Sequence, residues 1–252
     1  MREKGRSGGV SGAIIEARIS STRLPGKILL PILGKPLLEQ LIERLRLSRT
    51  LEDIIIATTT NPADDVVERF AELIQVHCFR GSEEDVLDRV LNAARAFSID
   101  VIVEITGDCP LIDPAVVDEV VRVYRSGSWD YVSNILRRTY PRGLDTQVFS
   151  TDLLAEVARL TRDPGDREHV SLYIYEHPER FSLKNVESGL PEEFRDLRLT
   201  VDTREDLDLI TAIFGALYPK KPGFDLHDIV GFLGENRHLL GINRHIAQKK
   251  VR

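Results

Sequence analysis

The sequence predicts an α/β protein built on a mostly parallel sheet with helices on both faces. Short β-rich runs alternate with longer helical patterns, the early strands are apolar along their length, and several run straight into loops rich in Gly, Asp or basic residues. Alternation of this kind favours right-handed crossovers, with ligands bound beyond the carboxyl ends of the strands. At 252 residues and 42% hydrophobic, the chain can bury the core of one large domain.

Taken in order, Gly12–Ala17, Ile54–Thr58, Val76–Phe79 and Val101–Ile105 read as strands. Helices are expected near Pro36–Leu47, Asp64–Leu73, Glu83–Phe97 and Pro114–Arg125, which makes this half a Rossmann-like nucleotide-binding core. After Asp130 the pattern loosens through DYVSNI and RRTYPRGLDTQVFS, then resumes with helices near Thr151–Leu160 and Glu168–Glu176. A strand near Leu197–Val201 precedes the helix Arg204–Leu217, where Thr203 can cap and Glu205 and Asp206 favour the positive end. Asp225–Arg252 reads as helical and then basic. Residues 1–10 read as a flexible start and 11–252 as a single domain, with a core at 11–130 and 196–217 and insertions at 131–195 forming one wall of a ligand site.

The formal charge of −6 argues against a nucleic-acid partner, which would need a basic face. Cys78 and Cys109 lack CxxC spacing, and neither an apolar leader nor a run long enough to span a membrane is present, so a cytoplasmic, reducing setting is expected. No GxGxxG follows the first strand and no GxxxxGK[ST] occurs, which removes the best evidence for an NAD enzyme or a P-loop ATPase.

The most informative loop is EARISSTRLPGKIL, Glu16 to Leu29, which concentrates Arg18, Arg23, Lys27, three hydroxyls including Ser21, and a Pro-Gly turn. Arg offers forked donors to phosphate oxygens, Lys a movable point charge, and Gly26 room for close approach to the backbone. A solvated basic surface is the plainer reading of the charges alone. Two later clusters, TGDCPLIDP and LTVDTREDLDLI, each place an aspartate, Asp108 and Asp202, after an apolar run. Each fits either a turn or helix-cap aspartate or a ligand for a hard cation. Asp113 before Pro114 reads as a helix opener, and Asp206 and Asp208 as helix-surface charges.

Arg18 to Leu29, R-x-x-S-x-R-L-P-G-K-x-L, resembles the opening signature of the nucleotide-activating cytidylyltransferases (CMP-sugar synthetase-like), and TGDCPLID and VDTREDL resemble the family's two metal-bearing motifs in the same order. FRGSEEDVLDR and REHVSLYI resemble the branch of spore coat polysaccharide biosynthesis proteins of the SpsF type. The resemblance implies a glycosyltransferase-A, or nucleotide-diphospho-sugar transferase, fold. It implies Mg²⁺ on Asp108 and Asp202, and phosphates on Arg18, Arg23 and Lys27 with Ser21, Gly26 and Thr106 beside the nucleotide. Cytosine is then expected near Ala17, Arg18, Ala57 and Thr58, with Arg80 reaching the base or ribose and Ser82 capping the next helix. Arg167 and His169, oriented by Glu168, would meet an acidic acceptor.

The sequence also departs from the pattern. Thr106 and Cys109 stand where the Kdo-type enzymes would have Gln and Glu, and GLDTQVF resembles a Gly-x-Asp-x-Glu segment of the SpsF branch with Gln147 at the last acidic position. Asp145 is expected to orient the acceptor or to stand near the metal, Gln147 bears on acceptor choice, and Cys109 has no partners at zinc spacing. The implied reaction is transfer of CMP from CTP to an acidic sugar or related acceptor with release of pyrophosphate, in surface polysaccharide biosynthesis, with a homodimer as the family's habit. A glycosyltransferase using a nucleotide-sugar, or a catalytically silent nucleotide-binding module, are the alternatives.

Overall fold

A computed structural model describes residues 9–248. The expected flexible start, apart from Gly9 and Val10, and the last four residues of the basic tail lie outside the described residues.

The chain begins with β1 (Ser11–Glu16), passes through a short ribbon of β2 (Pro31–Ile32) and β3 (Lys35–Pro36), and enters α1 (Leu37–Leu45). There follow β4 (Asp53–Thr59), α2 (Asp65–Leu73), β5 (His77–Gly81), α3 (Val86–Ala96), β6 (Val101–Thr106) and α4 (Pro114–Ser126). β7 (Tyr131–Ser133), β8 (Gln147–Ser150), α5 (Thr151–Leu160), α6 (Pro164–Glu168), α7 (Leu172–Glu176) and β9 (Leu183–Asn185) come next. α8 (Glu192–Arg195), α9 (Arg204–Leu217) and α10 (Leu226–Glu235) complete the chain's larger elements.

The seven-stranded sheet has the order β5-β4-β1-β6-β8-β7-β9. β5, β4, β1 and β6 are parallel neighbours, whereas β8 runs antiparallel between β6 and β7. The period-2 pleat sorts the core: Ala13 and Ile15 pack with α1, α4 and α9, whereas Ile14 packs with α3 and α5. Burying both faces explains the apolar runs of β1, β4 and β6. Fully burying each such aliphatic side chain is worth about 1.5–3 kcal/mol. Among the described residues, no helix is long and apolar enough to cross a membrane.

Several expectations need correction. Leu197–Val201 is not a strand of the sheet. It is extended backbone held by a bridge between Arg142 and Arg198 and by the Val201 amide donating to Asp108 O at 2.9 Å. The helix expected at Glu168–Glu176 is broken: α6 ends at Glu168, the chain turns at His169–Ser171, and only Leu172–Glu176 is helical. α3 starts at Val86, capped by Asp85 accepting from the Asp88 amide, while Ser82 Oγ accepts from the Asp85 amide one turn earlier. The loosely patterned region 131–195 supplies β7, β8 and β9 to the same sheet.

This last arrangement positions the site. The parallel strands end together at Glu16, Thr59 and Thr106, and β8 begins at that edge with Gln147 opposite Glu104. Gly143 fastens the loop before β8 to the Leu197–Val201 segment: its φ is +98°, and a Cβ there would stand 2.3 Å from Leu199 O. Gly143→Ala is expected to lower stability by more than about 1 kcal/mol in urea unfolding, and an unchanged midpoint and slope would contradict this contact.

Candidate active site

The loop after β1 folds back on itself and onto the strand beside it. Ser21 and Gly26 both donate their amides to Ile19 O, at 2.8 and 3.0 Å, and the Ile19 amide donates to Asp64 Oδ1 at 2.7 Å. Gly26, at φ +70° with nothing near its missing Cβ, turns the chain into a single 3₁₀ turn, Lys27–Leu29. Buried Ile28 anchors that turn in the core, leaving the Lys27 side chain to cross the sheet edge.

There Lys27 Nζ donates to Asp108 Oδ2 at 2.6 Å and to Asp202 Oδ1 at 2.7 Å. Asp108 comes from the loop after β6, with Thr106 Oγ1 donating to its Oδ1 at 2.8 Å. Asp202 lies just before α9, whose capping box of Thr203 and Asp206 is formed as expected at Thr203. Its Oδ2 accepts from Arg198 Nη2 at 2.5 Å and faces Arg23 Nη2 at 2.9 Å. Burial would lower the Lys27 pKa, but the charges and hydrogen bonds of both aspartates outweigh it and raise it above the ordinary lysine value. Burial would raise the Asp202 pKa, but Lys27, Arg198 and Arg23 hold it below the usual carboxylate value.

Asp206 is a correction, because it is fully buried. It accepts from Arg198 Nε at 2.9 Å, from Asn243 Nδ2 at 2.8 Å and from the Asp202 amide at 2.9 Å, fixing the whole arm. Arg198 and Asp206 escape sequence reading, although their spacing around Asp202, four residues on each side, was available as a signal. Asp208 is a surface charge paired with Arg204, and Asp113 caps α4, both as expected.

Other expected groups are held by the fold. Arg80 donates to Thr59 O and Asn61 O at 2.9 Å each and pairs with Asp65 and Glu68. Ala17, Ala57 and Thr58 are buried, and Ala57 O already accepts from the Ala17 amide, so none presents an exposed side chain to a base. Arg18 stays outside, 3.5 Å from Glu83. Asp145 is gripped through both oxygens by Arg138, at 2.8 and 3.0 Å. Arg167 ties α6 to α3 by pairing with Asp85 and to α5 through Ala158 O, instead of facing an open site. Glu168 is exposed and His169 half-buried at the turn after it. Cys109 is buried, and burial pushes its thiol well above the ordinary range, so it is a poor thiolate.

A second polar group gathers around Gln147 and Glu104. Gln147 Nε2 donates to Glu104 Oε1 at 3.0 Å, while its Oε1 accepts from Tyr131 at 2.6 Å and Ser171 at 2.8 Å. Glu104 is opposite Ile14 in register, which puts Glu16 diagonally adjacent on the same face of the sheet. Burial raises the Glu16 pKa to about 7, partly offset by Arg89, and raises Glu104 well above its ordinary value, with Glu16 adding to it. Sequence reading missed both, yet Glu104 interrupts the apolar strand VIVEIT and was visible for that reason.

A carboxyl whose folded pKa is raised holds a proton that the unfolded chain releases, so its stability contribution falls as pH rises from about 4.5 toward about 7. Glu16→Gln is expected to remove much of this slope, gaining at most about 3 kcal/mol over wild type above pH 7. Chemical unfolding at pH 4, 6 and 8 checks it, and parallel profiles for the two proteins would refute it.

Comparison with known proteins agrees with this geometry. The family described as Cytidylyltransferase matches residues 12–243. The chain is 35% identical over 230 residues to the spore coat polysaccharide biosynthesis protein SpsF of Bacillus subtilis, spanning 88% of this chain and 93% of that one. It is 36% identical over 188 residues to a 3-deoxy-manno-octulosonate cytidylyltransferase of Geobacter metallireducens, spanning 65% of this chain and 73% of that one. A solved cytidylyltransferase from Leptospira borgpetersenii superposes with a TM-score of 0.87 at 34% identity, covering 96% of this chain and 100% of its own. The fold is of the nucleotide-diphospho-sugar transferase type. With a matched region from first strand to C-terminal helices and the loop after β1 meeting two aspartates through Lys27, the chain belongs to the cytidylyltransferase family.

Proposed function

We propose that the enzyme transfers CMP from CTP to an acidic sugar or related acceptor, releasing pyrophosphate, in the assembly of a surface polysaccharide. The observation that carries this reading is the convergence of Lys27, Arg23, Asp108 and Asp202 at the carboxyl edge of β1 and β6. The acceptor class follows the names of the relatives, one a polysaccharide biosynthesis protein and one a cytidylyltransferase for an acidic sugar.

The donor set suits Mg²⁺, a hard cation usually held by one or two carboxylates, waters and substrate phosphates. Among the described residues no group of three or more His, Cys, Asp or Glu side chains could hold a metal ion, so the substrate would complete the shell. Asp108 and Asp202 would hold it. Bound there, Mg²⁺ would supply charge neutralisation to the triphosphate.

The chain's own residues supply position and charge. Arg23 and Lys27 reach the triphosphate from a loop whose backbone is fixed by Asp64 and Ile28, with Arg18 available at the outer rim. As the acceptor oxygen bonds to the α-phosphorus and the α–β bridging bond breaks, Arg23 and Lys27 balance the charge growing on pyrophosphate. Asp206 and Arg198 keep Asp202 aimed throughout.

Pyrophosphate release from CTP over a panel of acidic sugar acceptors tests the reading. Asp108→Asn is expected to remove most turnover with little change in fold, and Lys27→Ala to lower kcat/KM by about 10²–10³. Wild-type kinetics in either variant would remove that residue from the mechanism, and release of a nucleoside diphosphate or monophosphate from a nucleotide-sugar would assign the protein to glycosyl transfer instead.

A further inference from the structure

We propose that Lys27 is a resident counter-cation that makes the divalent-cation site depend on nucleotide: its ammonium stands between Asp108 and Asp202 and leaves for the phosphates when the triphosphate arrives. The inference rests on the proposed role of these two carboxylates as cation ligands.

The ammonium is within hydrogen-bond distance of one oxygen from each aspartate, at 2.6 and 2.7 Å. A divalent ion ligated by both carboxylates competes for the same oxygens, and at such separations two cations repel strongly in a partly buried setting. The remaining Asp202 oxygen is also taken, by Arg198 and Arg23. A metal ion arriving alone therefore meets carboxylates already neutralised by protein cations.

These cations differ in their freedom to leave. Arg198 is buried and doubly bonded to Asp206, so it is fixed. Lys27 has a flexible four-carbon stem on an anchored backbone, its amide donating to Leu24 O at 3.2 Å, and can swing without moving the loop. Arg23 is the most exposed of the three, with 37% of its side chain open to solvent. Triphosphate oxygens give Lys27 and Arg23 new anionic partners on the same edge, freeing Asp108 and one oxygen of Asp202 while supplying further ligands to the metal. Metal and nucleotide then bind with positive coupling, and the coupling resides in Lys27.

Mn²⁺ binding followed by electron paramagnetic resonance tests this without an acceptor. Wild type is expected to bind Mn²⁺ alone at least about tenfold more weakly than in the presence of saturating CTP, after correction for Mn²⁺ bound to free CTP. Lys27→Met is expected to tighten binding of Mn²⁺ alone by about tenfold and to shrink the CTP effect, whereas Lys27→Arg, which keeps the charge, should stay near wild type. Equal Mn²⁺ affinity in wild type with and without CTP, or in wild type and folded Lys27→Met, would overturn the proposal. Asp108→Asn separates the two ideas: loss of Mn²⁺ binding in that variant places the ion on Asp108 whatever Lys27 does, whereas unchanged binding would defeat the cation-ligand role itself and this proposal with it.

Discussion

The contact on which the site depends is the bridge from Lys27 to Asp108 and Asp202. It joins segments 81 and 175 residues apart in the chain and gathers three loops at one sheet edge. The pleated parallel core brings the first two close, since β1 and β6 are direct neighbours in register from Ser11 with Val101 to Glu16 with Thr106. Asp202 is not on a strand. It is delivered by an extended segment clamped between Gly143's loop and the backbone of Asp108, where the Leu199 amide donates to Arg142 O and the Val201 amide to Asp108 O. The meeting of Asp202 with Lys27 and Asp108 therefore depends on hydrogen bonds outside the sheet.

Charge balance explains how so many ionised groups persist there. A buried carboxylate is costly unless paired, and Asp202 answers that cost with Lys27, Arg23 and Arg198. With Asp108 and Asp206 included, three cations face three carboxylates, so the cluster is close to neutral. Beneath it, Glu16 and Glu104 are held toward their protonated forms by burial, with Gln147 donating to Glu104. Gln147 is thus committed inside a network with Tyr131 and Ser171.

The parallel half of the fold is legible in the sequence because both faces of β1, β4 and β6 are buried, giving apolar runs that periodic helices interrupt. β7, β8 and β9 are not, since strands of three or four residues leave too little alternation to see. The convergence of Lys27, Asp108 and Asp202 is legible as three loops following apolar runs, although one of those runs is no sheet strand. Arg198 and Asp206 hide because their pairing crosses from an extended segment to a helix and follows no helical or strand period. The scaffold contacts of Arg80 and Arg167 are not legible in the sequence, because the carbonyls and carboxylates that each one binds come from other elements of the chain.

The central claim is that this sheet edge is a site for CTP together with a divalent cation. A thermal-shift titration with CTP, UTP, ATP and GTP, each with and without Mg²⁺, addresses it most directly, because a ligand that binds only the folded state raises apparent stability in proportion to RT ln(1 + [L]/Kd). The account predicts selective stabilisation by CTP that grows with Mg²⁺. No response to any triphosphate, or equal stabilisation by all four, would contradict it.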